Sequence, residues 1–433
     1  MIRGAARGAV VLLATAALAA CDNEIPTANG SDLFPGGEVP TTLLVEVTGT
    51  DLILREEVYE GFGDPRRAPF LIVANDFDGA FDAHTLARFA DIPDSVTYTS
   101  GTSRREEISA YQGGRVLTQV DSLATFPRST ATLYLWELTQ PWDSATVTWE
   151  NASEQPGQET AWTTPGGSFG TLLDQAFWFP GDTAQKDTVT WELDSLAVIR
   201  LRSPDHPGVI VTSDQPGVRV KLSALTFEGD AHPSGRPDTV VAVRTSEGPQ
   251  TFVYTPDTPQ SAAVLRAGGL TGDRSLLTLD LEQEVEACPA GGGPCSLVPL
   301  SEVTLNRAQL VFEPVQVPDG YRPLATPRVV LRSVAEPELG RFAPLGAVLA
   351  TDTISPSAFA AGTDREFEMD LTTAVLQFLA EQARAEREGE EVETELSFAL
   401  LADFEVPDLG LLWFQRSPTL RLVYTLPLNP SLP

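Results

Sequence analysis

Beyond residue 40 the chain is dominated by short runs in which apolar and polar residues alternate, bounded by Gly, Pro, Asp and Asn. Thr42-Leu43-Leu44-Val45-Glu46-Val47, Arg115-Val116-Leu117-Thr118-Gln119-Val120, Ala131-Thr132-Leu133-Tyr134-Leu135-Trp136 and Val218-Arg219-Val220-Lys221-Leu222 all follow this pattern. A period of two sends successive side chains to opposite faces, so these runs predict antiparallel strands with one buried face. Many such strands with little helix between them predict an all-β fold of the sandwich type. Two segments carry a helical pattern instead. Residues 83–89 predict a short helix. The longer one covers residues 370–388: Asp370 is placed to cap it, Val375, Leu376, Leu379 and Ala383 form one apolar stripe, and Gly389 can end it. Its outer face is a run of Glu and Arg, as on a solvated helix packed against the second half of the chain.

The second half repeats the strand order of the first. Val116 to Leu123 matches Leu276 to Leu281, Ala131 to Leu135 matches Ala308 to Phe312, and Pro237 to Val243 matches Pro418 to Tyr424. A boundary near Gly248 follows, giving a first sandwich over residues 41–247 and a second, divergent one over 248–428.

The residues ahead of the strands have a different character. Arg3 and Arg7 precede an uncharged stretch rich in Ala, Val and Leu that ends in small residues, the order of a secretory signal. That stretch is short of the roughly 20 apolar residues needed to span a bilayer. Leu18-Ala19-Ala20-Cys21 resembles the lipobox of bacterial lipoproteins. The resemblance implies removal of residues 1–20 and a lipid on the Cys21 thiol, which would anchor an exported envelope protein to a membrane. Residues 21–40, rich in Gly, Pro, Asn and Thr, then read as a flexible lipidated tether. Asp22 resembles an inner-membrane retention signal of enteric bacteria, but that rule transfers poorly between bacterial groups, so inner and outer membrane stay open.

Charge narrows the partners. The 433 residues carry a net charge of −31, more negative still once Arg3 and Arg7 are removed. This excludes nucleic acid and anionic lipid surfaces, which need basic residues. With three His and no zinc-type Cys-His spacing, no transition-metal cofactor is expected. Cys288 and Cys295 flank Pro-Ala-Gly-Gly-Gly-Pro and can close a small disulfide in an oxidising compartment. Calcium is the one cofactor the sequence raises: Asp76, Asp78 and Asp82 surround Gly79, part of an oxygen-ligand loop. Without a terminal Glu at the right spacing, a plain acidic turn is the simpler reading.

Six of the seven tryptophans fall between Trp136 and Trp191. Trp149 and Trp191 sit in alternating strands with apolar partners, which assigns them to the core. Trp162 and Trp178, close to Pro and Gly, are the expected exposed pair and so the expected ligand platform. Ala131-Thr132-Leu133, then Trp142-Asp143-Ser144-Ala145-Thr146-Val147-Thr148-Trp149, then Trp162-Thr163-Thr164-Pro165-Gly166-Gly167, resembles the DNRLRE-type module, which is similar to the family-96 carbohydrate-binding modules. Val189 to Leu196 stands where that family turns from strand to helix, and Glu368 to Thr372 is the counterpart in the second half. The resemblance spans residues 110–243 well and 275–425 weakly, and the second copy lacks the V-T-W and P-G-G elements. It implies two tandem jelly-roll-like antiparallel sandwiches with one or two short helices, an extracellular setting, and glycan binding without catalysis.

Gly166-Gly167-Ser168-Phe169-Gly170 matches a serine-hydrolase pattern, but Pro165 precedes it and no strand-then-helix context is present, so Ser168 is not assigned a catalytic role. Three function classes stand: a non-catalytic glycan-binding or structural module, a scaffold binding another envelope protein, and, last, a polysaccharide hydrolase whose paired carboxylates would come from distant strands.

Overall fold

The computed structural model describes residues 42–47, 52–89, 92–100, 102–181, 187–245, 248–255, 262–287, 295–363, 365–403 and 409–426. The leader, Cys21, the tether and Cys288 lie outside them.

An N-terminal arm of β1 (Thr42–Val47) and β2 (Ile53–Tyr59) comes first. The next strands are β3 (Leu71–Phe77), β4 (Phe81–Ala87), β5 (Ser95–Ser100), β6 (Thr102–Gln119) and β7 (Ala131–Leu138). A small hairpin, β8 (Asn151–Gln155) and β9 (Gln158–Ala161), precedes β10 (Phe169–Trp178) and β11 (Thr188–Asp194). Helix α1 (Ser195–Leu201) then leads into β12 (Val209–Thr212), β13 (Val218–Leu222), β14 (Thr226–Pro233), β15 (Val241–Arg244) and β16 (Gln250–Tyr254). The second series starts with β17 (Val264–Gly268), β18 (Arg274–Asp280), β19 (Glu284–Ala287) and β20 (Ser296–Pro299). It continues with β21 (Thr304–Phe312), β22 (Arg328–Val334), β23 (Leu345–Thr353) and β24 (Phe367–Asp370). Helix α2 (Thr372–Glu388) precedes β25 (Glu395–Ala402), β26 (Leu411–Gln415) and β27 (Thr419–Thr425).

The fold is all-β and antiparallel, in two sandwiches. In the first, a sheet of order β10-β7-β12-β4-β3-β13, with β16 also on β4, faces a sheet of order β11-β6-β14-β15. Alternation sets the inner face: Leu133 and Leu135 on β7, Val209 and Val211 on β12, and Val116, Trp191 and Phe227 opposite are all buried in one core. The indole of Trp191 crosses between the sheets and donates to the Leu133 carbonyl at 3.1 Å, which satisfies its N–H inside the core.

The second sandwich has the same plan. Its sheets run β24-β21-β27-β1 and β23-β22-β25-β18-β2, with β17 paired to β26. Matching the ladders pairs β6 with β21, β11 with β24, β7 with β22, β12 with β25 and β4 with β18. It also pairs β15 with β1 and β16 with β2, so the arm belongs to the second sandwich. The expected boundaries 41–247 and 248–428 are therefore corrected: the arm joins the second unit, and β16, beyond residue 248, pairs with β4 in the first. The repeat is real, but each expected landmark is displaced, by one strand at β21 and β27 and by two at β18. Leu276 to Leu281 is counterpart to β4, not β6, because alternation identifies a strand without naming its neighbour.

Both strand-to-helix corners are present. Asp194 caps α1, its carboxylate accepting from the Ala197 N–H at 2.7 Å, and Asp370 accepts from the Thr372 N–H at 2.8 Å ahead of α2. Gly389 ends α2 in the left-handed region, φ 68°. The buried face of α2 is Ala374, Val375 and Phe378, while Leu376 points outward, one position off the expected stripe. Residues 83–89 are not helical: most of the segment is β4, held between β3, β12 and β16, where ladder pairing overrides the helix-favouring run. The sandwiches share one core cluster, and at their junction Arg219 is buried over the rings of Phe77 (4.6 Å), Phe126 (5.2 Å) and Tyr321 (5.4 Å). Gly320 is required there, since a Cβ would come within 2.4 Å of the Phe77 ring.

Candidate functional site

The outer face of the large first sheet is partly covered by the excursion between β7 and β10. Trp142, Ala152 and Trp162 from that excursion pack on Leu86, Leu138, Ile210 and Val253 as a second small core. Trp162 is 6 % exposed, and its indole donates to the Thr148 carbonyl at 3.0 Å. Trp178 is fully buried on the inward side of β10 and donates to Asp187 at 3.1 Å. The expected platform of Trp162 and Trp178 is thereby corrected. Trp162 packs within the excursion, where the Thr148 carbonyl takes its N–H, and Trp178 points inward from β10, so nearby Pro and Gly do not mark exposure here.

The other candidate residues separate in the same way. Asp76 and Asp78 adopt left-handed backbone, φ 48° and 57°, in the β3–β4 turn, and Asp82 accepts from the Asp76 N–H at 2.7 Å. Among the described residues no group of three or more His, Cys, Asp and Glu is placed to hold a metal, and the Asp76, Asp78 and Asp82 carboxylates raised as possible calcium ligands lie about this turn. Cys295 is disulfide-bonded beside the β19–β20 hairpin. Ser168 is buried and donates to Gln140 Oε1 at 2.8 Å while accepting from Thr163 Oγ1 at 2.6 Å, so its hydroxyl pins the glycine-rich loop. His84 directs Nδ1 to the Gly166 carbonyl at 2.8 Å, and burial pulls its pKa below the usual value.

The outer face presents a row of rings. Tyr134 and Trp136, at alternate positions of β7, lie 6.3 Å apart, and Trp136 meets Phe169 edge-on at 6.0 Å. Phe169 in turn meets His84 at 5.6 Å, and His84 lies 4.9 Å from Trp149. Tyr134, Trp136 and Trp149 are half-buried, so Trp149 stands partly at the surface and not wholly in the core. On the edge strand β10, Leu172 pairs with Trp136, Gln175 with Tyr134 and Phe177 with Thr132, which continues the strip with side chains about 40 % exposed at Leu172 (42 %) and Phe177 (45 %). Polar partners flank it: Trp136 Nε1 donates to Thr212 at 3.1 Å and the Tyr134 hydroxyl to Asp214 at 3.0 Å. The signal was in the alternation itself. With Ala131, Leu133 and Leu135 inward, Tyr134 and Trp136 must face out.

A depression of about 350 Å³ lies on the opposite sheet, where Leu117 and Ala224 line it together with Thr118, Thr188, Ser223 and Glu228. Burial opposes a charge on Glu228, yet Arg115 and Arg244 outweigh it and hold the carboxyl below its ordinary range.

No family model matches the chain, and no curated protein matches it. Among solved structures, the M60 catalytic domain with the CBM51-1 and CBM51-2 domains of Clostridium perfringens ZmpB aligns at 9 % identity and a TM-score of 0.14. The alignment covers 87 % of this chain and 39 % of that one, and at such a score it carries no argument about fold or function. No helix among the described residues is long and apolar enough to cross a membrane.

Proposed function

We propose that this chain is a non-catalytic, lipid-anchored protein of the bacterial envelope that binds carbohydrate on the Tyr134–Trp136–Phe169 strip. The anchor rests on the lipobox-like Leu18-Ala19-Ala20-Cys21, and the resemblance to DNRLRE-type modules supports the ligand class. The observation that carries the binding site is the row of half-exposed rings on a rigid sheet, with hydroxyl, amide and carboxylate groups beside it. The apolar face of a sugar ring stacks on Trp136 and Tyr134, while Gln175 and Asp214 are placed to take hydroxyl hydrogen bonds. A stacked ring contributes about 1 kcal/mol beyond buried area, so each contact is weak and useful attachment comes from many copies on one surface.

The test is a glycan array on the full chain lacking only its leader, beside Tyr134→Ala and Trp136→Ala. Binding that both substitutions abolish, with folding intact by circular dichroism, supports the reading; binding that survives both refutes the site. The exposed Phe177 and Phe179 rings, 6.3 Å apart on and beside β10, favour protein scaffolding as the second reading. An array with no positive glycan selects it.

A further inference from the structure

The equivalence of the two sandwiches singles out the arm. In the first sandwich the places beside β14 and β4 are taken by β15 and β16, which follow β14 directly. In the second, the matching places beside β27 and β18 are taken by β1 and β2, from the far end of the chain. The second sandwich thus has an acceptor site for two strands, and the arm is its occupant. Such strand addition derives affinity from main-chain ladders and specificity from alternate side chains.

The arm's ladders and the ion pairs that anchor it fall within that second unit. Its ladders run from Thr42↔Thr425 to Val47↔Leu420 and from Arg274↔Tyr59 to Leu279↔Ile53. Leu52, between the two strands, is fully buried in the core. Arg421 pairs with Glu46 at 2.9 Å, Arg416 with Glu56 at 3.5 Å and Arg266 with Glu60 at 2.5 Å. The start of the linker stays with the second unit too, because the N–H groups of Gly61 and Gly63 both donate to the Thr271 carbonyl, at 2.8 and 3.0 Å. Gly63 has no room for a side chain, as a Cβ would lie 2.2 Å from the Leu270 carbonyl.

The chain then leaves for β3 through the turn Pro65–Arg67, where Arg66 is tied back to Asp64 at 2.6 Å and both arginines are exposed. Every covalent path from the arm to the first sandwich crosses this dibasic turn.

We propose that the arm is a separable ligand of the second sandwich, and that the Arg66–Arg67 bond is a cleavage site for an endopeptidase of trypsin-like specificity that leaves the arm seated. Hydrolysis consumes one water: Arg66 keeps the new carboxylate, Arg67 gains the amine, and no other reactant is needed. Every ladder and arm ion pair above joins the arm to residues on the far side of that bond and none uses Arg66 or Arg67, so the cut removes only the covalent tie. Separability does not depend on the function proposed above. Where the Cys21 anchor of that reading holds, the cut leaves the body on its membrane by strand pairing alone, open to release.

The test is brief native trypsin treatment of the full chain without its leader, with fragments mapped by mass and resolved by gel filtration. The expected result is an earliest cut after Arg66 or Arg67, lost in Arg66→Gln/Arg67→Gln, with the arm fragment eluting with the body and separating in denaturant. In the nicked protein a labelled peptide of residues 41–60 should exchange into the site, and Leu52→Asp should lower the retained arm fraction at least tenfold. An arm that elutes alone under native conditions overturns the proposal. So does a turn that resists while other bonds are cut first.

Discussion

Replacing Trp178 and Trp136 separately by alanine distinguishes a tryptophan that builds the sandwich from one that faces solvent. Trp178 is fully buried with its indole N–H on Asp187. A buried indole removes on the order of 200 Å² from water, about 5 kcal/mol at roughly 25 cal/mol per Å². That figure is an upper bound, because the unfolded chain already hides part of this surface. Partial collapse of the cavity brings the expected cost of Trp178→Ala to about 4 kcal/mol, within the range seen for large-to-small core changes. In a unit of this size that corresponds to a melting point lower by roughly 10 °C. Trp136 is half-buried on the outer face, so Trp136→Ala should cost about 1–2 kcal/mol and remove ligand binding instead. Urea unfolding followed by circular dichroism, with equal slopes checked across variants, measures both. A loss below about 1 kcal/mol for Trp178→Ala would refute its burial, and equal losses for the two would refute the assignment of Trp136 to the surface.

Two pH dependences of opposite sign are expected. The His84 pKa is lowered, by burial first, so as pH falls through 6.5 the unfolded chain takes a proton that the folded one refuses; stability present above 6.5 is lost below it, and melts from pH 5 to 8 should show that slope weakened in His84→Gln. An unchanged slope would sink this account. Asp273 is pushed up to about 6, mainly by burial and against the pull of Thr271 and Arg266, so the folded state holds its proton between the ordinary 3.8 and that value. Its contribution is complete below 3.8 and declines as pH rises through 6, and Asp273→Asn should flatten that fall; a fall of undiminished size in the variant refutes it.

Local chemistry was legible in the linear pattern. The strand β7 shows its inward Ala131, Leu133 and Leu135 by alternation alone, and the strand-to-helix corner at Asp194 is marked by a capping residue that takes the Ala197 N–H. Helix α2 stops at Gly389 as the sequence indicates, whereas at its start Leu371 stands at the N-cap with no side-chain cap, and Asp370 instead takes the Thr372 N–H from one residue earlier. These features follow from neighbours in sequence, and the all-β class follows from their number.

What only the tertiary structure decided is which distant segments meet. Nothing in Thr42–Val47 names Thr419–Thr425 as its ladder partner, since any alternating strand offers the same backbone groups; the assignment of the arm to the second sandwich is set by which edge the completed core leaves open. Residues 81–87 form a strand for the same reason, flanked on both sides by ladders that outweigh local preference. The tryptophans make the point most directly. Trp162 is buried because the excursion packs it on the sheet and supplies the Thr148 carbonyl, while Trp136, on the outward side of β7, packs only at the margin of that small core and stays partly open. Burial is a property of the covering segment as much as of the residue covered, and the covering segment is placed only when the whole sheet has formed.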